Sequence, residues 1–185
     1  MTNQIVAGSL GAVAAQNKKS IAESFVNANA IILVDTSGSM EQTDSRGGKS
    51  RYDAACAELK NLQASLPGKL ALLSFSSEVI FCPNGIPFQY SAMTDLAKAL
   101  KFAKIADVSG MRFIVISDGE PDSESEALSV AATFKNRIDT IFVGPEEGSG
   151  QAFLCKLAKA SGGKNVTSAQ VKELSNDIQK LLLTA

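Results

Sequence analysis

The chain has 185 residues, of which 45% are hydrophobic and 20% are charged, and its formal net charge is −1. This size and balance are typical of one globular domain with a substantial core. The near-neutral charge argues against a general nucleic-acid-binding protein, which needs a basic surface to displace counterions. The sequence has no histidine, and this excludes Ser-His-Asp triads, Cys-His pairs and histidine-bound zinc.

The cysteines and the apolar segments bear on where the chain functions. Cys56, Cys82 and Cys155 are far apart, and an odd, scattered set predicts reduced thiols rather than a disulfide framework or a zinc knuckle. Residues 1–11 lack the cationic start and apolar core of a secretory signal. No segment approaches the roughly 20 apolar residues of a membrane-spanning helix. We therefore expect a cytoplasmic protein without membrane insertion.

The first third of the chain is expected to contain a helix and a buried strand. Residues 1–15 are small, polar and rich in alanine and glycine, and we expect a flexible segment there, ahead of a single domain over 16–185. Apolar residues at helical spacing predict an extra N-terminal amphipathic helix over 18–28. The apolar run over 30–34 has no polar alternation, which is typical of a strand buried on both faces in a parallel sheet.

Strands and helices then alternate. A helix over 51–65 is expected, with Ser50 as its N-cap and the Asp53 carboxylate reaching back. Strands over 69–75 and 79–82 are too close for a parallel crossover, so they predict an antiparallel hairpin at a sheet edge. The later predictions are a helix over 94–104, a strand over 112–117, a helix over 123–136, a strand over 140–143, a helix over 151–161, a weak strand over 165–167 and a helix over 171–183. The pattern predicts a doubly wound, three-layer, Rossmann-like α/β sandwich whose sheet is mostly parallel with one antiparallel edge strand.

Acidic and hydroxyl residues follow two of these strands. Asp35, Ser37 and Ser39 come after the first strand, Asp118 follows the strand over 112–117, and Thr94 stands at the start of a helix between them. Ligands bind at the carboxyl edge of parallel sheets, where these five side chains can converge. Their oxygens suit Mg²⁺ or Mn²⁺ better than zinc or copper. Five ligands also leave one position of an octahedron open to an outside oxygen.

These elements together resemble a known site. The stretch Asp35-Thr36-Ser37-Gly38-Ser39, then Thr94, then Ser117-Asp118-Gly119 is similar to the metal-ion-dependent adhesion site (MIDAS) of von Willebrand factor type A (vWA) domains. The Asp-x-Ser-x-Ser, lone threonine and Asp-Gly elements occur in the same order, and the resemblance covers about residues 29–183. The chain departs from the pattern at Ala92-Met93, where many members have glycine before the threonine.

The resemblance implies a function as well as a fold. It implies that the five residues hold Mg²⁺ or Mn²⁺, with Ca²⁺ as a further candidate, and that a Glu or Asp of a partner protein completes the coordination. A protein-binding adhesion or adaptor module is therefore expected, rather than an enzyme. The residues agree, since the sequence offers no nucleophile with an attendant base.

Each element also has a plainer interpretation. Residues 37–39 could form a turn that caps a helix, Asp118-Gly119 is a common turn pair, and Thr94 could be the N-cap of its helix. Glu120 and Asp122 are expected at the rim of the site and at the next helix start, where acids interact favourably with the helix dipole.

Other functions stay open at this level. A magnesium-dependent phosphatase-like hydrolase could use Asp35 as nucleophile, although Ser37 stands where that class has its second carboxylate. A metal-independent scaffold component could associate through the 18–28 helix or an edge strand. The segment 47–50 is not a phosphate loop, because Thr43 replaces the first glycine of that motif. The basic residues over 46–51 are expected to be solvated.

Overall fold

The computed structural model describes residues 5–88, 93–145 and 149–166. Its strands are β1 Ala30–Asp35, β2 Leu70–Phe75, β3 Val79–Phe81, β4 Arg112–Ser117, β5 Ile138–Phe142 and β6 Asn165–Val166. Its α-helices are α1 Leu10–Gln16, α2 Ile21–Val26, α3 Arg51–Ser65, α4 Leu96–Ala103, α5 Glu124–Ala131 and α6 Gly150–Ala160, with 3₁₀ turns at Gly38–Glu41, Arg46–Gly48 and Lys104–Ala106.

The strands of the described residues form one sheet in the order β3-β2-β1-β4-β5-β6. Every neighbouring pair is parallel except β2 and β3, which are antiparallel at one edge. The predicted α/β fold, including its antiparallel edge strand, is confirmed. All six residues of β1 are buried, so their unbroken apolar character reflects a strand at the middle of the sheet that is covered on both faces.

The two faces of the sheet carry separate parts of the core. On one face, Ile31 and Phe113 pack among buried residues of α4, α5 and α6, such as Leu100. On the opposite face, Ile32 and Ile114 pack with residues of α3. Full burial of side chains of this size contributes about 1.5–3 kcal/mol each. This two-sided packing holds the sheet rigid and so fixes where its carboxyl edge presents polar residues.

Helix α1 lies inside the segment for which the sequence predicted no helix. The Ser9 hydroxyl accepts the Ala12 N–H at 3.2 Å, the Gly11 N–H donates to the Pro83 carbonyl at 2.8 Å, and Leu10 is buried. The helix has only seven residues and is rich in alanine, so it has little apolar periodicity to detect. The division into a flexible segment 1–15 and a domain 16–185 stays a prediction.

Several element boundaries differ from the predicted ones. Helix α2 starts after Ser20, which forms a capping box with Glu23, and is shorter than the predicted 18–28. Helix α4 is capped by the Asp95 carboxylate, which accepts the Lys98 N–H at 2.8 Å, so Thr94 is not its N-cap. The predicted helix over 171–183 lies outside the described residues. No helix among the residues that the structure describes is both long and apolar enough to cross a membrane.

Candidate metal site

Asp35 and Asp118 come together at the carboxyl edge of the sheet. Asp35 ends β1 and Asp118 follows β4, and these two strands are parallel neighbours that pair Val34 with Ile116. Both side chains are buried, with 0% and 1% of their residue surface exposed. The two acids therefore lie close together and buried although they are distant in sequence. Their convergence at this edge agrees with the expectation from the sequence.

The Asp35 carboxylate has a hydrogen bond on each oxygen. Its Oδ1 accepts the Ser37 N–H at 2.9 Å, and its Oδ2 accepts the Ser117 hydroxyl at 2.7 Å. Burial, and then the charge of Asp118, raise the pKa of Asp35 to about 6, although the bonds from Ser117 and Ser37 act to lower it. A cation at this edge would oppose both causes of the raised pKa.

The hydroxyls of Ser37 and Ser39 lie side by side. Their Oγ atoms are 3.2 Å apart, because the chain turns into the 3₁₀ segment Gly38–Glu41 directly after Ser37. Adjacent oxygens around an octahedral Mg²⁺ are about 3.0 Å apart, given metal–oxygen distances of about 2.1 Å. The spacing of the two hydroxyls therefore fits neighbouring positions on such an ion.

Thr94 is held at the same edge by backbone contacts. Its N–H donates to Asp122 Oδ1 at 3.0 Å, and the Asp122 N–H donates back to the Thr94 carbonyl at 3.0 Å. The Asp95 N–H donates to the carbonyl of Ser76, just beyond β2, at 3.1 Å. The Thr94 loop is thus fastened between the end of β2 and the segment that follows Asp118. Asp122 contributes by holding this loop, a role that the sequence did not indicate.

Arg51 is a site residue, and the expectation that it is solvated is wrong. Only 4% of its side chain is exposed. Its Nη1 donates to Asp118 Oδ2 at 2.7 Å, and its Nε and Nη2 each donate to a different oxygen of Asp44 at 2.8 Å. Nη2 also donates to Gln42 Oε1 at 2.8 Å. The hydrogen bonds with Asp44, and then the hydrogen bond with Asp118 and its charge, raise the pKa of Arg51 although burial acts to lower it. A permanent positive charge therefore borders the site.

The turn after Asp118 is packed tightly against the start of α6. A Cβ atom on Gly150 would lie only 1.9 Å from the Asp118 carbonyl oxygen, and Gly119 adopts a positive φ of 77°. The Gly119 N–H donates to the Ser117 hydroxyl at 2.9 Å. Backbone-to-backbone packing of this kind holds the Asp118 turn in one orientation.

The donor set fits a hard cation. In the described ranges there is no group of three or more His, Cys, Asp or Glu side chains that could hold a metal ion. The candidate site is instead built of two carboxylates and three hydroxyl residues, which is an oxygen-only set suited to Mg²⁺ or Mn²⁺. The assignment of Asp35, Ser37, Ser39, Thr94 and Asp118 as ligands stays a prediction.

Three residues make contacts at this edge that the sequence did not indicate. Ser117 bonds Asp35, Asp122 holds the Thr94 loop, and Arg51 pairs with Asp118. For Arg51 a signal existed, because it is the first residue of a helix that follows directly on a serine cap. The cap orients the helix, but nothing in the local sequence indicates that the arginine faces inward.

Solved structures share the mostly parallel α/β fold of this chain. No family model and no curated protein matches the sequence. BatB from Bacteroides thetaiotaomicron is 18% identical with a TM-score of 0.62, over 83% of this chain and 98% of that one. Manganese-loaded TRAP from Plasmodium vivax is 18% identical with a TM-score of 0.62, over 82% of this chain and 73% of that one.

A von Willebrand factor type A structure from Catenulispora acidiphila also matches. It is 14% identical with a TM-score of 0.56, over 82% of this chain and 42% of that one. At these identities the likeness concerns the fold alone. The chain has a vWA-like fold.

Proposed function

We propose that this protein is a divalent-metal-dependent protein-binding module and not an enzyme. Asp35, Ser37, Ser39, Thr94 and Asp118 would hold Mg²⁺ or Mn²⁺, and a Glu or Asp of a partner protein would supply a further oxygen. The observation that carries the proposal is the meeting of two buried carboxylates with a pair of serine hydroxyls 3.2 Å apart at one sheet edge.

The charge of Asp35 supports this proposal. Burial and a second acid raise the pKa of this carboxyl to about 6, so its ionised form destabilises the folded chain. Groups with pKa values perturbed in this way cluster at functional sites. A bound divalent cation would supply the missing positive charge and act as a docking point for an anionic oxygen. The manganese-loaded TRAP structure, which has the same fold, is a further support.

The rim of the site restricts the partner. Glu120 and Asp122 are exposed beside Asp118, and their charges oppose an acidic partner wherever the ion does not attract it. The partner carboxylate must therefore reach the ion itself, and binding should depend strongly on the metal. Without the ion, the exposed charges of Glu120 and Asp122 would repel an acidic partner, while the Arg51 guanidinium is buried and paired with Asp118 and Asp44.

Titration with Mn²⁺, followed by the electron paramagnetic resonance signal of the free ion, tests the site directly. We expect the wild type to bind Mn²⁺ and Asp35→Ala to lose binding while keeping the circular dichroism spectrum of the folded chain. Asp53→Ala is the matched control, because Asp53 is an exposed acid in the first turn of α3 and should bind Mn²⁺ as the wild type does.

A pull-down with and without chelator tests the protein-binding part of the proposal. Partner capture that persists in chelator, or in Asp35→Ala, would contradict it and would favour the metal-independent scaffold function. Turnover of a generic phosphate ester that needs both Mg²⁺ and Asp35 would instead establish the hydrolase alternative.

A further inference from the structure

Arg51 places a buried positive charge directly on one of the proposed metal ligands. Its Nη1 donates to Asp118 Oδ2 at 2.7 Å, and in this pair 4% of the arginine side chain and 0% of the aspartate side chain are exposed. The remaining donors bond Asp44 and Gln42. Hydrogen bonds to Asp118, Asp44 and Gln42 therefore fix the position of the guanidinium, and moving it away from Asp118 would break several of them.

This contact changes the charge that a divalent ion meets. Asp35 and Asp118 together carry two negative charges, and Arg51 offsets one of them at short range. Asp44 and Glu120 also pair with Arg51, at 2.8 Å and 3.6 Å, but 41% and 50% of their side chains are exposed. Water therefore screens their charges far more than that of Asp118. Guanidinium does not lose its proton at any ordinary pH. A divalent ion at this edge therefore meets a net attraction weaker than two free carboxylates would provide.

We propose that Arg51 is an internal counter-cation of the site: it positions Asp118 and competes with the divalent ion for the charge of that carboxylate. The inference rests on the proposed metal site. The ion and Arg51 together carry more positive charge than Asp35 and Asp118 carry negative charge. The ion should therefore bind weakly alone and more tightly when a carboxylate from outside joins it. Arg51 would thus couple metal binding to partner binding.

Mn²⁺ binding by Arg51→Gln tests the inference. We expect the Mn²⁺ affinity of this variant to exceed that of the wild type by about tenfold or more. In the wild type the guanidinium and the ion repel each other, and at an effective dielectric constant of about 20 a small part of that repulsion energy already corresponds to a factor of about ten in affinity. Arg51→Lys, which keeps the charge, should stay within about threefold of the wild type. The control is Arg137→Gln, which removes an arginine paired with Asp139 near the opposite end of the sheet and should leave the affinity unchanged.

A second readout uses stability and a small carboxylate. Arg51→Gln leaves buried Asp118 without its cation, so we expect a lower melting temperature in chelator and a larger rise on adding Mg²⁺ than in the wild type. A purely structural arginine would lower stability without this larger rise. Acetate should tighten Mn²⁺ binding in the wild type and have a smaller effect in Arg51→Gln.

The outcomes separate this inference from the proposed function. If the wild type binds Mn²⁺ but Arg51→Gln binds it equally or more weakly, the counter-cation role is wrong and the metal site stands. If Arg51→Gln does not fold even in excess Mg²⁺, the counter-cation role is also wrong, because the ion then cannot replace the guanidinium. If the folded wild type binds no Mn²⁺, the proposed function itself fails, and this inference fails with it.

Discussion

Replacing Asp35 with asparagine separates the effect of this residue on stability from its proposed effect on metal binding. Asp35 is fully buried, and its pKa is raised from 3.8 to about 6 by burial and by Asp118. For an acid, a higher pKa in the folded chain means that ionisation destabilises the fold, with the full cost present above the folded pKa. At about 1.4 kcal/mol per pKa unit, the charge costs about 3 kcal/mol at pH 7.

Asparagine can be accommodated in the same hydrogen-bond pattern. Its Oδ1 can accept the Ser37 N–H, and its Nδ2 can donate to the Ser117 hydroxyl, which now donates to Asp35. Loss of the charge-assisted bond would cost about 1 kcal/mol. We therefore expect Asp35→Asn to stabilise the metal-free protein by about 2 kcal/mol, which corresponds to a rise in melting temperature of about 4–8 °C for a chain of this size.

Thermal unfolding in chelator at pH 7 and at pH 5 measures the effect. The part of the difference that arises from the charge should fall to about half at pH 5, because the wild-type carboxylate then gains its proton in the folded state but not in the unfolded chain. Asp53→Asn, which changes an exposed acid, should alter stability little. The reasoning is refuted if Asp35→Asn is less stable than the wild type at pH 7, or if the difference is the same at both pH values.

Two further changes test contacts that support the site and the fold. Asp107→Asn should destabilise by about 2 kcal/mol at pH 7, because the carboxylate accepts three N–H groups of residues 135–136 at 2.7–3.1 Å. Burial acts to raise the pKa of Asp107, but these donors lower it overall, so their stabilisation is present above pH 3.8 and is lost as the pH falls further. Gly150→Ala should destabilise by about 2–3 kcal/mol and weaken Mn²⁺ binding, because its Cβ would press on the Asp118 carbonyl at 1.9 Å.

Each of these changes has its own check. Urea unfolding at pH 7 and pH 3 should show a smaller difference between wild type and Asp107→Asn at the lower pH, and an equal difference would contradict the assignment. For Gly150→Ala, the control is Gly162→Ala at the other end of α6, where φ is 77° but no atom lies within 4 Å of the added Cβ. The Gly162→Ala control should lower the free energy of unfolding by about 1 kcal/mol and leave the Mn²⁺ affinity unchanged. Equal Mn²⁺ affinities in the two variants would show that Gly150 does not position Asp118.

The order and type of most described elements could be predicted from the sequence. Unbroken apolar runs such as residues 30–34 are typical of strands that are covered on both faces. The three residues between β2 and β3 are too few for a parallel crossover, so they required an antiparallel pair. Helix α1 was missed because a short, alanine-rich segment has almost no periodic signal. The start of α4 was misplaced because Thr94 and Asp95 are both good caps, and the choice between them depends on the contacts of the Thr94 loop.

The sequence by itself determined which oxygen-bearing residues follow which strands, since buried strands that end at Asp35 or just before Asp118 present those acids at the carboxyl edge. Only the tertiary structure decided what surrounds them. Arg51 pairs with Asp118 across 67 positions of sequence, and the direction in which a helical arginine points depends on how α3 packs on the sheet. Short-range patterns specify elements and their ends, but the charge balance of a buried site arises from contacts between distant segments.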